Sequence, residues 1–204
     1  MRKLDPKFYL QDTHTVAKGL LGKNLVHFVN GHYRIGKIVE TESYIGSIDK
    51  ACHGYNYKKT PRTETIFNAG GVSYIYLIYG MYNCTNVVCE VEGEPCAVLI
   101  RALEPIHGIE YMCIDRYKKS LNEITKKQYI NLANGPGKLS IAMALTKKHN
   151  NISFNSDDLF ICENENISDD NIIKSKRINI DYSEEARDFL WRYYIKDNKY
   201  ISKK

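Results

Sequence analysis

No run of about 18 apolar residues occurs anywhere in the 204-residue chain, so nothing in it has the length of a membrane-spanning helix. The opening stretch MRKLDPKFYL also lacks the apolar segment of a secretory signal, and the expectation is an intracellular protein with no membrane partner, cytoplasmic or nucleoid-associated if bacterial. The six cysteines, Cys52, Cys84, Cys89, Cys96, Cys113 and Cys162, contain no CxxC pair. Without a signal peptide they read as reduced thiols, and the lack of closely spaced Cys and His pairs argues against a zinc site, so no metal is expected. A GxxxxGK phosphate loop is missing too, since NAGG (68 to 71) and NGPGK (134 to 138) lack its spacing. No repeat, linker or low-complexity block divides the chain, and residues 1–204 are expected to form a single domain.

What the chain does have is a mild basic excess, 29 lysines and arginines against 24 acidic residues, and 16 tyrosines. The charge suits a polyanion but also many ordinary enzymes. Tyrosine is more informative, because its ring can stack on a base while its hydroxyl stays wet. At 43% apolar residues, the chain can bury a substantial core.

Hydrophobic periodicity orders the elements. Asp12 or Thr13 caps a short helix carrying Val16, Leu20 and Leu21, which Gly22 is expected to end. NLVHFV, the turn Asn30-Gly31 and HYRIGKIVETES read as a β-hairpin. SIDKACH (47 to 53) predicts a short helix that brings His53 over the strand end. VSYIYLIYGMYNCTNVV has strand composition, with Tyr74 and Tyr76 alternating before a turn at Tyr79-Gly80, and EPCAVLIRALEP reads as another strand. Residues His107 to about Lys148 turn helical and break at NGPG, NENISDDN is a polar loop, and KRINI and FLWRYYI return to strand. The order of strands, then helices, then strand predicts one mixed α+β domain on a mainly antiparallel sheet.

The stretch ETESYIGSIDKACH concentrates polar chemistry. Strand alternation puts Glu40, Glu42 and Tyr44 on one face. A carboxylate beside tyrosines and a histidine suits a general base that activates water, although an ExE pair on a strand is more often a solvated face. Two same-face carboxylates about 6.5 to 7 Å apart along a strand also meet the spacing of a sugar glycosidase, but they lie side by side and not across a substrate. NGPGK suits either a plain helix start or a phosphate contact through backbone N–H groups and Lys138.

VETESYIGSIDKACH, YIYLIYGMYNCTNVV, AVLIRALEP and NGPGKL, with AKGLLGKNLV before them, resemble the 3-methyladenine DNA glycosylases of the alkyladenine (alkylpurine) type from about Thr13 to Ser202. The resemblance implies base-excision repair, in which an alkylated or deaminated purine is flipped from double-stranded DNA and its N-glycosidic bond hydrolysed. It implies that Glu42 activates the water, that Arg101 helps hold the site, and that Tyr44, His53 and Tyr76 sandwich the base. Asn86 would crowd out the amino group of guanine, and Tyr79 would fill the gap in the duplex. The fold implied is an open, Greek-key barrel-like sheet, as in formyltransferase C-terminal domains, with flanking helices.

Tyrosine faces are expected to favour cationic alkylated bases by cation–π attraction. No lysine is among the residues that the resemblance places at the reacting bond or around the base, so a monofunctional, cofactor-free, monomeric hydrolase that leaves an abasic site is expected. The chain departs from the family pattern at TPRTETIF, where Thr63 and Ile66 replace an asparagine and a methionine, at Cys52, and at DNKYIS near the C-terminus. The alternative is a non-catalytic binder of damaged DNA, which would have no need of Glu42.

Overall fold

A computed structural model describes residues 1–203 of the chain. Asp12 opens α1 (Thr13–Gly19) by accepting from the backbone N–H groups of His14 and Thr15, which have no partner inside the helix. The helix stops short of Gly22, contrary to expectation. Gly22 takes a left-handed φ of 85° in the turn that follows, and a Cβ there would meet the Glu165 backbone oxygen at 2.7 Å. β1 (Asn24–Val29) and β2 (His32–Ile45) form the expected hairpin, with Asn30 and Gly31 at φ 53° and 80° supplying its turn.

β3 (Ser73–Ile78), β4 (Tyr82–Val88) and β5 (Cys96–His107) follow, then the helical stretch in three pieces: α2 (Ile109–Tyr117), α3 (Lys126–Ile130) and α4 (Pro136–Ala142). β6 (Leu159–Cys162), β7 (Ile172–Ser175) and β8 (Arg192–Ile195) complete the sheet. Two expected elements do not form. SIDKACH is a series of turns, because the Asp49 side chain accepts from the Ala51 N–H and is held by Arg177. KRINI is irregular for the same reason: Arg177 turns into the interior, and the strand lies just before it, as β7.

All the strand pairs are antiparallel, in the order β3-β4-β5-β2-β1-β6, with β8 on β2 and β7 on β8. The result is the expected mixed α+β fold, an open, curled half-barrel sheet with four α-helices among the described residues. None of those helices is long and apolar enough to cross a membrane. The main core gathers α1, the sheet and α2 to α4 around residues such as Leu20, Ile38, Ile100, Leu103, Met112 and Leu139. Each such side chain, fully buried, contributes about 1.5–3 kcal/mol.

β2 is the hub. Its first half pairs with β1 and its second half with β8, while β5 runs along its other edge. The β2–β5 register slips twice within four residues. Ile38 faces Leu103 and Glu40 faces Ala102, which makes Val39 an extra residue on β2; Thr41 then faces Ile100, which makes Arg101 an extra residue on β5. The two bulges cancel, and the second re-aims Arg101.

Candidate active site

Glu40 and Glu42 both point inward from β2 and are fully buried, so the solvated-face reading does not hold. The bulged Arg101 reaches between them, with Nη1 3.2 Å from Glu42 Oε2 and Nε 3.4 Å from Glu40 Oε1. Burial alone would lower the Arg101 pKa, but Glu42 and Glu40 raise it above its ordinary value, and the guanidinium stays charged. Glu42 also accepts from the Tyr44 hydroxyl at 2.7 Å and, on Oε1, from the Ile178 backbone N–H at 2.9 Å. These three bonds leave about one of its four acceptor positions open.

Glu40 is differently employed. It accepts from Arg192 Nη1 at 3.0 Å, from the Ser202 N–H at 2.5 Å and from the Ser202 hydroxyl at 2.9 Å. It is therefore a counter-charge for two arginines, and the two-carboxylate sugar-cleaving arrangement is not built.

Beyond the Tyr44 and Arg101 side chains that bond Glu42 lies a cavity of about 240 Å³ lined by Tyr44, His53, Tyr74, Tyr76, Asn86 and Arg101, among others. The His53 and Tyr76 ring centroids are 4.5 Å apart at 62°, and those of Tyr74 and Tyr76 are 5.2 Å apart at 41°. His53 Nδ1 shares a hydrogen bond of 2.9 Å with the Tyr74 hydroxyl. Burial, helped by the nearby Arg62, pushes the His53 pKa down to about 4, so the ring is neutral at pH 7. Burial raises the Tyr44 and Tyr76 hydroxyls well above their ordinary range, and both remain phenols. Cys52 and Cys84 also line the cavity, their thiols pushed up to about 12 and about 11, chiefly by burial, which leaves them inert as nucleophiles. Among the described residues no group of three or more His, Cys, Asp or Glu is placed to hold a metal.

Thus Tyr44, His53, Tyr76, Asn86 and Arg101 line one cavity, and Glu42, which does not itself line it, joins it from behind through its bonds to Tyr44 and Arg101. Asn86 donates its side-chain amide to the carbonyls of Tyr74 (2.9 Å) and Cys84 (3.4 Å), which holds it rigidly in the cavity wall. Tyr79 stands at the rim, 72% exposed, in the β3–β4 turn. It has φ 53°, Gly80 has φ 70°, and the Met81 N–H donates to the Ile78 carbonyl at 3.2 Å. Lys138 folds back onto Asn134 Oδ1 at 2.8 Å, while its neighbours Pro136 and Gly137 line the cavity.

Sequence reasoning missed the wall formed by Ile178, Asn179, Ile180 and Tyr182, which belongs to no regular element and has no periodic signal. It also missed Arg62, whose guanidinium lies 5.7 Å from the Tyr76 ring centroid. Arg177 lies 4.7 Å from that of Tyr44. The cation–π capacity expected to favour a charged base is therefore partly taken by the protein's own arginines.

The arrangement is a cavity walled by aromatic side chains, with the Arg101 guanidinium in its lining and the Glu42 carboxylate enclosed behind it, and such a cavity can take a flat heteroaromatic ring. The family model described as methylpurine-DNA glycosylase (MPG) matches residues 7–199. Proteins named "Putative 3-methyladenine DNA glycosylase" are similar throughout. Those from Alkaliphilus oremlandii (strain OhILAs) and Clostridium tetani (strain Massachusetts / E88) are each 52% identical over 202 residues, covering 99% of this chain and 100% of the relative. That from Bacillus cereus (strain AH187) is 51% identical over 203 residues, covering 98% of each chain.

Proposed function

The chain belongs to the methylpurine-DNA glycosylase family, and from that premise we propose that its cavity receives a damaged purine turned out of duplex DNA while Glu42 directs water at the exposed N-glycosidic bond. As a DNA glycosylase for alkylated bases in repair, it must reach a sugar carbon that a stacked base shields. Flipping costs a few kcal/mol, and stacking on aromatic side chains returns about 1–3 kcal/mol per base. Tyr44, Tyr76 and His53 supply those faces. Tyr79, exposed at the hairpin rim, is the residue that enters the duplex and occupies the vacated space, as apolar wedges do from the minor groove. Asn86, fixed by its two carbonyl partners, narrows the pocket against the extra amino group of guanine.

Departure of the purine leaves an oxocarbenium-like sugar. Glu42 stabilises that cation and accepts the proton of the water that adds to the sugar carbon. Arg101, Tyr44 and the Ile178 N–H hold the carboxylate in place. No lysine lines the cavity among the described residues, so no amine is placed to form a Schiff base, and hydrolysis ends at an abasic site. One chain supplies the whole cavity, which fits a monomer acting on one lesion.

The observation that carries this reading is the buried Glu42, held by three donors beside an aromatic cavity. The test is single-turnover release of base from a duplex bearing one methylated purine, with wild type beside Glu42→Gln. We expect the variant to lose about 10²–10⁴-fold in rate while binding an abasic duplex as well as wild type. Release by the variant at the wild-type rate refutes the role of Glu42. Binding without release by wild type establishes a lesion binder instead.

A further inference from the structure

Asp49 and Arg177 form an ion pair behind the cavity wall, both side chains fully enclosed. Arg177 Nη1 and Nη2 meet the two Asp49 oxygens at 2.5 and 2.8 Å. Nη1 also donates to the Ser43 carbonyl at 2.8 Å and Nη2 to the Ala186 carbonyl at 3.1 Å. The guanidinium lies 4.7 Å from the Tyr44 ring centroid and 5.1 Å from that of Trp191. An enclosed ion pair is often no more stabilising than well-packed apolar residues would be, because both ions lose their hydration. Stability alone is therefore a weak reason for this one.

Its position supplies a better reason. Arg177 directly precedes Ile178, whose N–H is the only donor on Glu42 Oε1 among the described residues, and the cavity-lining run to Tyr182 continues from there. Asp49 sits in the turn-rich stretch that carries Cys52 and His53, and it also accepts from the Ala51 N–H at 2.9 Å. Neither flanking stretch is helix or strand, so neither has a backbone ladder to fix it. The pair and its Ser43 contact tie both stretches to β2 at the strand residue between Glu42 and Tyr44.

We propose that Asp49 and Arg177 are positioning residues for base release: through the Ile178 N–H they fix the orientation of Glu42. Neither lines the cavity, so neither touches the base. Without the anchor, Glu42 keeps its two partners on Oε2 but is free to turn Oε1 away from the water. A misplacement of about 1 Å in a reacting group can cost about 10²-fold in rate. The inference rests on the proposed role of Glu42.

The test is a double-mutant cycle. Single-turnover release from a methylated duplex and affinity for an abasic duplex are measured for Asp49→Asn, Glu42→Gln and the double variant, at a temperature where circular dichroism shows each folded. We expect Asp49→Asn to slow release about 10–100-fold, to leave abasic affinity within about twofold, and to have no further effect on the residual rate of Glu42→Gln. Arg177→Lys, which keeps the charge but cannot form the two-point contact, should show an intermediate loss, and it carries the same test if Asp49→Asn does not fold. An unchanged rate overturns the proposal, as does an equal slowing in the Glu42→Gln background or a loss of affinity in step with the rate. Failure of the underlying reading shows separately, as a Glu42→Gln variant that releases base like wild type.

Discussion

His53 shows how far a single side chain is set by its surroundings. Its pKa in the folded protein is about 4, against 6.5 for the free group, because burial and then Arg62 disfavour the charged ring. Between those values the unfolded chain binds more protons than the folded one, so the contribution is complete above pH 6.5 and is lost as the pH falls toward 4. It amounts to at most about 3 kcal/mol. His14, His27 and His149 are lowered as well, so the variant comparison isolates the residue: the fall in urea stability from pH 6.5 to 4 should be shallower in His53→Gln than in wild type. With the ring neutral at pH 7, base release should show no inflection between pH 6 and 8 from this residue. At this scale the sequence was partly readable. Alternation alone put Glu42 and Tyr44 on one face, but Arg101 reaches them only through a bulge, and bulges leave no mark in apolar periodicity.

The hairpin joining β3 and β4 carries an internal conflict at the level of the element. Its turn needs two residues at positive φ, a conformation that suits Asn-Gly, yet its first position holds Tyr79 at φ 53°. A non-glycine side chain in that region costs about 1–2 kcal/mol. Tyr79→Asn should therefore stabilise the protein by about 0.5–1 kcal/mol in thermal or urea denaturation. The same change should weaken abasic-duplex binding by about 1–3 kcal/mol, the loss of one stacking contact. Gly80→Ala should destabilise by about 1 kcal/mol for purely conformational reasons, since a Cβ there meets nothing within 4 Å. The Asn30-Gly31 hairpin, β5 and the NGPG break were legible because turn chemistry and periodicity agree there. The helix expected at 47 to 53 and the strand expected at 176 to 180 failed for one shared reason: the Asp49–Arg177 pair draws both segments out of regular structure, and it spans 128 positions of sequence. β6, four apolar residues in a polar neighbourhood, is too short to announce itself.

Across the whole molecule, the site is assembled from distant parts. Glu40 is separated by 152 positions from Arg192 and by 162 from Ser202, and Glu42 by 136 from Ile178. The mixed, sheet-centred fold class was legible because strand and helix patterns occupy separate stretches, whereas these long-range pairings follow from tertiary packing that no local window contains. Contacts at such separation form late, since loop closure precedes any reward from them. The one tryptophan, Trp191, packs against Arg177 and so reports on this assembly. During refolding from urea, its fluorescence should reach the native value together with recovered base release and after most far-ultraviolet dichroism has returned. Glu40→Ala should destabilise the protein by about 3–5 kcal/mol, measured by urea denaturation, because it takes the carboxylate partner from buried Arg192 and one of the two from buried Arg101. The cancelling bulges at Val39 and Arg101 bear on ancestry as well. Loss of either codon alone would slide the far end of β2 by one step against β5 and swap inward for outward side chains, so a lineage could gain or discard the two insertions only as a pair.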